Sequence, residues 1–326
     1  MIKVSVIIPV YRVENFISRC AATLFEQTMQ DVEFIFVNDA SPDNSMMQLE
    51  QTISKYPWRM SQIKILHHEE NKGLPAARNT GLLVAEGEYI LHCDSDDYVD
   101  SEMLETLYDT ASKYDIDIVW CDWFLSLAHS ERYMHQPSFS KPIEAVKAML
   151  GGGMKYNVWN KLVRRSLYRD NRIEFPAGYG MGEDMTMIIL FAKAKNIKYI
   201  PQAFYHYVKT NSSAFSQTYS EKHQNELTYN VDRIECFIHK EYGKNLDKEL
   251  SFMKLEAKFP FLLLKDPTKL RIWKEWYPEA NAYIMQNGNL PLRSKLLQWC
   301  AANDYWLLVK AYNILLNKLI YGIIYK

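Results

Sequence analysis

Four carboxylates crowd the end of the stretch EYILHCDSDDYVD, residues 88–100, where Asp94, Asp96, Asp97 and Asp100 fall within seven positions. Like charges this close disfavour one another's ionised forms, so the cluster calls for a cation, a basic partner or abundant water. In an extended segment residues i and i+2 share a face, which sets Asp94 beside Asp96 and turns Asp97 away. Two carboxylates on one face suit a hard divalent cation that keeps open positions for phosphate and water. A solvated turn after a strand is the other reading of the same spacing.

Two further stretches carry chemistry. In NKGLPAARNTGL, residues 71–82, Arg78 lies between Gly73 and Gly81 and could hold a carboxylate or a phosphate bidentately. A clamp on Asp94 and a direct ligand contact are compatible roles for it. Glu183 and Asp184 open an apolar helix after Gly178, Gly180 and Gly182. Acids in a first helical turn are favourable in their own right.

The elements that must position these residues alternate through the first 125 positions. Strand-like KVSVIIPV, VEFIFVND, IKILHH, EYILHCD and DIVWCDW are separated by helical patterns over about 14–27, 44–55, 75–85 and 101–114. Asp43 and Ser101 stand where they could cap the second and fourth of these helices. Strands apolar on both faces, joined by helices, predict an α/β fold whose mostly parallel sheet is covered by helices. Ligands of such sheets bind outside the carboxyl ends of the strands. Pro9-Val10-Tyr11, Asn38-Asp39-Ala40-Ser41 and Asp94-Ser95-Asp96-Asp97 all sit at strand ends and should face one crevice. Beyond residue 140 the alternation fades. The segment IKYIPQAFYHYV reads as one or two short strands, TNSSAFSQ as a loop, and the chain from about 220 as helical, broken by Pro260, Pro267, Pro278 and Pro291.

Composition narrows the classes. The 326 residues are 48% hydrophobic with a formal net charge of −1, as in an ordinary globular protein, and offer no basic surfeit for nucleic acid. Five scattered cysteines without a CxxC pair argue for reduced thiols in the cytoplasm and against a zinc cluster. MIKVSVIIPVY reads as a strand and not as a secretory leader, and no stretch approaches the roughly 18–20 apolar residues of a spanning helix. Charge is divided unevenly: residues 1–216 hold 22 basic and 27 acidic side chains, residues 217–326 hold 16 and 12.

The strings VSVIIPVYRVENFI, FVNDASPDNS, NKGLPAARNTGL, GEYILHCDSDD and GEDM, in this order and spacing, closely resemble the family 2 glycosyltransferases of GT-A fold over roughly residues 1–215. The resemblance implies an inverting, metal-dependent transfer of one sugar from a UDP-sugar, of the type that builds bacterial surface polysaccharide. It implies that Asp94 of the DxD motif contacts the ribose, with Ser95 beside it, and that Asp96 ligates Mn2+ or Mg2+ on the diphosphate. Asp39 would read the base, since a carboxylate accepts from the imide N–H of uracil. Pro9, Val10, Tyr11 and Glu14 would line the nucleoside pocket, and Arg78 with Asn79 would stand beside the nucleotide. Asp184 would be the catalytic base, taking the acceptor hydroxyl's proton, with Glu183 positioning the acceptor. A helix N-terminus would keep Asp184 ionised while weakening it as a base.

His206 resembles a histidine that relatives use on the metal or diphosphate, and a packed histidine is its alternative. His67 and His68 read as structural. Trp159, Asn160 and Lys161 either line the sugar or acceptor site or are a buried tryptophan and a surface lysine. Arg12, Asn38 and Ala40 depart from the Asn, Asp and Gly common in the family. The QxxRW signature of processive synthases is absent, which implies single transfer to a glycan or lipid-linked acceptor. A sugar nucleotidyltransferase would need a glycine-rich signature and lysine near the N-terminus, which IIPVYRVENF lacks, and a non-catalytic binding module would be expected to have lost Asp94, Asp96 and Asp184.

The resemblance, together with the uneven charge, implies a catalytic domain over 1–216 and a helical region over 217–326. The terminal LLVKAYNILLNKLIYGIIYK either packs as a helix on its domain or lies at an anionic membrane surface, with Lys310, Lys318 and Lys326 and the rings of Trp306, Tyr312, Tyr321 and Tyr325 at the headgroups.

Overall fold

A computed structural model describes residues 1–209, 220–263 and 267–319, with side chains at 264–268 and after 315 outside the description. The loop TNSSAFSQ, apart from its flanking Lys209, and the residues Lys318, Tyr321, Tyr325 and Lys326 therefore lie outside what is described below. The chain forms two compact units: residues 1–145 with 156–230, and residues 146–155 with 231–326.

The first unit is built on a nine-stranded sheet in the order β3-β2-β1-β4-β8-β6-β9-β5, with β7 paired to β6. Its strands are β1 (Val4–Val10), β2 (Val32–Asn38), β3 (Ile63–His67), β4 (Tyr89–His92), β5 (Tyr98–Val99), β6 (Ile118–Ser126), β7 (Glu131–Met134), β8 (Lys161–Arg164) and β9 (Ile197–Val208). Every residue of β1 is buried, as a central strand covered on both faces requires. β3, β2, β1 and β4 are parallel, and Val10 stands opposite Asn38, Asn38 opposite His67, and Ile7 opposite His92. That register brings the polar ends of β1, β2 and β4 to one edge.

Parallel pairing recurs between β6 and β9. β8 runs antiparallel to both β4 and β6, and β5 antiparallel to β9, so the sheet is mixed. IKYIPQAFYHYV forms one twelve-residue strand whose pairing to β6 shifts register around Asp122. That shift lets a single strand pass the Pro201 interruption.

Helices α1 (Ile17–Phe25), α2 (Ser45–Ile53), α3 (Leu74–Val84) and α4 (Met103–Lys113) link the early strands. α3 lies so close to β1 that a Cβ on Gly81 would stand 2.4 Å from Ile7 Cγ2. Asp43 Oδ1 accepts from Ser45 N at 3.1 Å at the start of α2, but the N-cap position is Asn44, without a side-chain bond. Ser101 does not cap α4, whose N-cap is Glu102 without a side-chain bond. The other helices of this unit are α5 (Pro142–Leu150, shared with the second unit), α6 (Arg165–Asn171), α7 (Thr186–Lys193) and the start of α8 (Glu221–Tyr242).

The second unit is helical: the rest of α8, then α9 (Asp247–Lys258), α10 (Pro267–Glu275), α11 (Leu292–Ala302) and α12 (Trp306–Leu319), with 3-10 turns between them. Its buried lysines close polar gaps. Lys258 Nζ donates to the carbonyls of Trp276 and Tyr277 and to Asn281 Oδ1, and Lys254 Nζ pairs with Glu235 and Glu279. No described helix is long and apolar enough to cross a membrane. All five cysteines are free; Cys20, Cys93 and Cys121 are core residues, whereas Cys236 is exposed.

Candidate active site

The acidic loop follows β4. Asp94 and Asp96 are half-buried while Ser95 and Asp97 are buried, and the four residues form a turn, not the extended segment expected, closed by Asp97 N donating to Asp94 O at 3.1 Å. Asp97 turns into the sheet, its Oδ2 accepting from Tyr205 Oη at 2.6 Å and its Oδ1 from Val208 N at 2.7 Å. Burial, with Asp96 and Asp94 nearby, holds the Asp97 carboxyl well above the usual carboxylate range. The same Tyr205 hydroxyl accepts from Asp94 N at 3.1 Å, so one phenol ties both ends of the DSDD turn. Tyr205→Phe removes a buried donor from Asp97 and is expected to lower stability by about 1–3 kcal/mol in urea unfolding. Unchanged stability would mean that this hydroxyl does not anchor the turn.

Arg78 joins the acidic loop to the acidic pair. Only 1% exposed, it donates from Nη2 to Asp94 Oδ1 at 2.9 Å, and the same nitrogen lies 3.6 Å from Glu183 Oε1. Burial works against its charge, but Asp94 and Glu183 outweigh that and hold the guanidinium pKa above its ordinary value. The Phe175 ring lies 5.7 Å from the guanidinium carbon. Phe175 is fixed in turn by Asn79, whose side-chain amide donates to Phe175 O and accepts from Phe175 N, both at 2.8 Å.

Glu183 and Asp184 form a 3-10 turn leading into α7. Burial, and then the charge of Asp184, push Glu183 up to about 8, with Arg78 opposing. Burial also pushes Asp184 up to about 6, with Arg78 and Lys161 pulling it down. The expectation that the helix N-terminus weakens Asp184 as a base is reversed here, because burial dominates. These values belong to the coupled pair, which burial holds partly protonated near neutral pH. The loop before the pair is pinned to α8: Met181 N donates to Glu226 Oε2, and Asn230 Nδ2 donates to the carbonyls of Tyr179 and Met181.

Lys161 is buried, not at the surface. Its Nζ donates to Asn157 O at 2.7 Å and Asn160 Oδ1 at 2.9 Å, and burial lowers its pKa to about 7 against the raising charges of Cys121 and Asp184. Trp159 stacks on Tyr205 with ring centroids 4.3 Å apart, and Asn160 Nδ2 donates to Cys121 O. All three side chains are packed in the sheet.

At the end of β2, Asp39 is buried and accepts from His68 Nδ1 at 2.7 Å, Lys72 N at 2.8 Å and Gly73 N at 2.9 Å. These bonds shape the turn into α3, where Gly73 adopts φ 87°. His68 also bonds Thr80, which makes it structural. Pro9 and Val10 are buried in β1 and Tyr11 is exposed beyond it. Glu14 Oε2 accepts from Asn44 N and Nδ2, joining the end of β1 to the start of α2. Arg12 and Ala40 both adopt left-handed backbone, φ 55° and 52°. An L side chain there costs about 1–2 kcal/mol. Ala40→Gly, relieving that strain against the extra entropy of glycine, is expected to raise stability by about 0.5 kcal/mol in thermal unfolding; a lower melting temperature would refute it.

His206 is engaged elsewhere. Its Nδ1 lies 2.8 Å from Glu131 Oε1 and its Nε2 3.0 Å from Asp100 Oδ1, and its ring is stacked between Tyr98 and Phe124. With both nitrogens bonded, it is placed as a packed histidine and Asp100 as its partner.

A family model for glycosyl transferase family 2 matches residues 5–181. The chain belongs to glycosyl transferase family 2. It is 33% identical over 218 residues to the uncharacterized glycosyltransferase EpsJ of Bacillus subtilis, a match covering 64% of this chain and 62% of that relative. It is 33% identical over 224 residues to the poly(ribitol-phosphate) beta-glucosyltransferase of Bacillus spizizenii, covering 67% of this chain and 34% of the relative. The chain thus spans less than two thirds of either relative's length. In fold it is similar to S. aureus TarS 1–349, solved in complex with UDP-GlcNAc, at a TM-score of 0.71 and 21% identity over 95% of this chain and 91% of that one.

Family 2 glycosyltransferases typically depend on a divalent cation, which the sequence resemblance implies at Asp96 beside Asp94. Asp94 and Asp96 are both half-buried in one turn, and the Arg78 nitrogen occupies one oxygen of Asp94. Among the described residues no group of three or more His, Cys, Asp or Glu side chains is arranged to hold a metal. Two carboxylates fit a cation that completes its shell with phosphate oxygens and water, as Mg2+ commonly does.

The residues that sequence reasoning missed in this family 2 protein are Tyr205 and Phe175. Tyr205 is one of 22 tyrosines and reaches the DSDD turn from 111 residues away in sequence, so no local signal marks it. Phe175 contributes a ring and two backbone groups, which any residue type supplies in part.

Proposed function

We propose that the chain transfers one hexose or N-acetylhexosamine from a UDP-sugar to a glycan or lipid-linked oligosaccharide, with inversion, in bacterial surface-polysaccharide assembly. The observation that carries this reading is Arg78, which ties Asp94 of the DxD turn to the Glu183-Asp184 pair at the carboxyl edge of the sheet. Donor-side and acceptor-side acids thereby belong to one charge cluster.

Asp184, in its ionised form, takes the proton of the acceptor hydroxyl as that oxygen attacks the anomeric carbon from the face opposite UDP. The carbon–oxygen bond to the diphosphate breaks in the same step, UDP leaves, and the new glycosidic bond has the inverted configuration. Glu183, protonated, can donate a hydrogen bond to the acceptor. Asp94 is held by Arg78 toward the ribose, with Ser95 beneath it, and Asp39 keeps lone-pair capacity on Oδ2 for an imide N–H of the base. Pro9, Val10, Tyr11 and Glu14 line the nucleoside side. Asp96, with Asp94, would hold Mn2+ or Mg2+, which neutralises charge on the departing diphosphate. The free thiols favour the cytoplasm, and a lipid-linked acceptor favours its membrane face, met through the C-terminal helices.

The test is a screen of UDP-, GDP- and dTDP-sugars for hydrolysis and transfer with Mn2+ or Mg2+. The expected result is turnover of a UDP-sugar that EDTA abolishes, with Asp96→Ala weakening Mn2+-dependent UDP binding by about 10- to 100-fold. Activity that survives both EDTA and Asp96→Ala would remove the metal role. Nucleotide-sugar binding without turnover under any condition would favour a non-catalytic module.

A further inference from the structure

We infer that α11 and α12 form a docking surface for an anionic lipid bilayer. The inference rests on the membrane contact of the proposed function and not on its transfer chemistry.

α12 turns an apolar side outward. Among its described side chains the buried ones are Val309 and the polar Asn313, whose Nδ2 donates to Leu262 O, while Leu307, Leu308, Ile314 and Leu315 are 82%, 58%, 59% and 58% exposed. With Ala311 these four occupy one side of the helix, spaced i, i+1, i+4, i+7 and i+8. α11 exposes Leu292, Leu296 and Trp299, spaced i, i+4 and i+7, and the two helices pack on each other. Two adjacent aliphatic stripes facing water are what a monomeric soluble surface avoids.

Charge selects the occupant. Residues 291–326 hold five basic side chains and one acid, Asp304. That acid is already paired with Lys274 Nζ at 2.7 Å. Arg293 and Lys310 are exposed beside the stripes, where their stems can lie along acyl chains and their charges reach phosphates. A second copy related by a two-fold axis would set these basic groups against one another, whereas an anionic headgroup layer complements them. Trp306 and Tyr312, the rings expected at the interface from sequence, are half-buried, so insertion falls to the leucines and isoleucine.

The experiment is co-sedimentation of the full chain with phosphatidylcholine vesicles and with vesicles that also contain phosphatidylglycerol. Wild type is expected to favour the anionic vesicles. Leu308→Glu with Leu315→Glu is expected to weaken partition by about 10- to 100-fold, and Lys310→Glu by about fivefold on anionic vesicles alone. Circular dichroism and UDP-sugar hydrolysis of these variants are expected to match wild type, because neither leucine is in the catalytic unit. Equal sedimentation of wild type and the double variant would overturn the inference. So would a wild-type dimer in light scattering that the double variant dissociates without any vesicle binding. A chain that binds vesicles but turns over no sugar nucleotide would sink the transfer reading and leave this one standing.

Discussion

Asp184→Asn is expected to lower the transfer rate by about 10²–10⁴-fold while UDP affinity in Mn2+ stays near wild type. Asparagine keeps the shape and removes the carboxylate proposed as the base. The pH profile supplies a second signature. A base pushed up to about 6 must be ionised to act, so the wild-type rate is expected to fall as pH drops through 6. Glu183 loses its proton near 8, placing a second negative charge beside Asp184 and removing a hydrogen-bond donor, so the rate is expected to fall again on the alkaline side. These apparent values belong to the pair and not to either residue alone. In Asp184→Asn the acid limb is expected to vanish from the residual rate. A variant that transfers at the wild-type rate with an unchanged acid limb would overturn the assignment of the base. Lys161 also bears on the window: its loss would let Asp184 rise further, since it now pulls that carboxyl down.

What could be read from sequence follows the range of the interactions. β1, β2 and β4 announce themselves because central parallel strands are apolar on both faces, and their register then fixes where Asp39 and Asp94 emerge. The extended reading of Asp94-Ser95-Asp96-Asp97 does not survive folding, because Asp97 N bonds back to Asp94 O and closes the four residues into a turn. β8 was not legible, for KLVR is four residues long with a charge at each end, and only its place between β4 and β6 makes it a strand. That insertion sets one strand antiparallel to both neighbours and buries Lys161, against the strong prior that a lysine is exposed. Tyr205 and the Arg78–Glu183 contact join segments about 105–111 residues apart, beyond any local pattern. Arg12 and Ala40 are a different case: their departures from Asn and Gly were visible, but the left-handed backbone that gives those departures an energetic meaning was not.

Arg78→Met is expected to destabilise the chain by about 3–5 kcal/mol near pH 8, because it deletes the cation and leaves the carboxylates behind it. Methionine fills much of the same volume, so the loss reports charge and hydrogen bonding more than a cavity. The guanidinium is buried, and Asp94 and Glu183 face its Nη2. Glu183 is already held up to about 8 with Arg78 opposing the rise. Without that opposition it and Asp184 rise further, so the acid limb of the rate profile is expected to move to higher pH. The stability difference has a sign that pH can test. At pH 4 to 5 Glu183 is protonated in the folded variant and needs no cation, so the gap between Arg78→Met and wild type is expected to shrink, leaving mainly the lost Asp94 contact. Toward pH 8 the wild type can ionise Glu183 beside Arg78 and the variant cannot, so the gap widens. Arg78→Lys restores one positive charge without the planar fork and is expected to recover part of the stability but less of the donor turnover. Urea unfolding of the three proteins at pH 5 and 8, with Mn2+-dependent UDP-sugar hydrolysis alongside, measures both effects. A loss of less than about 0.5 kcal/mol that is the same at both pH values would show that the acids do not depend on this cation. The observation carrying the proposed function would then lose its force, because nothing else among the described residues binds the DxD turn to the acidic pair through a single side chain.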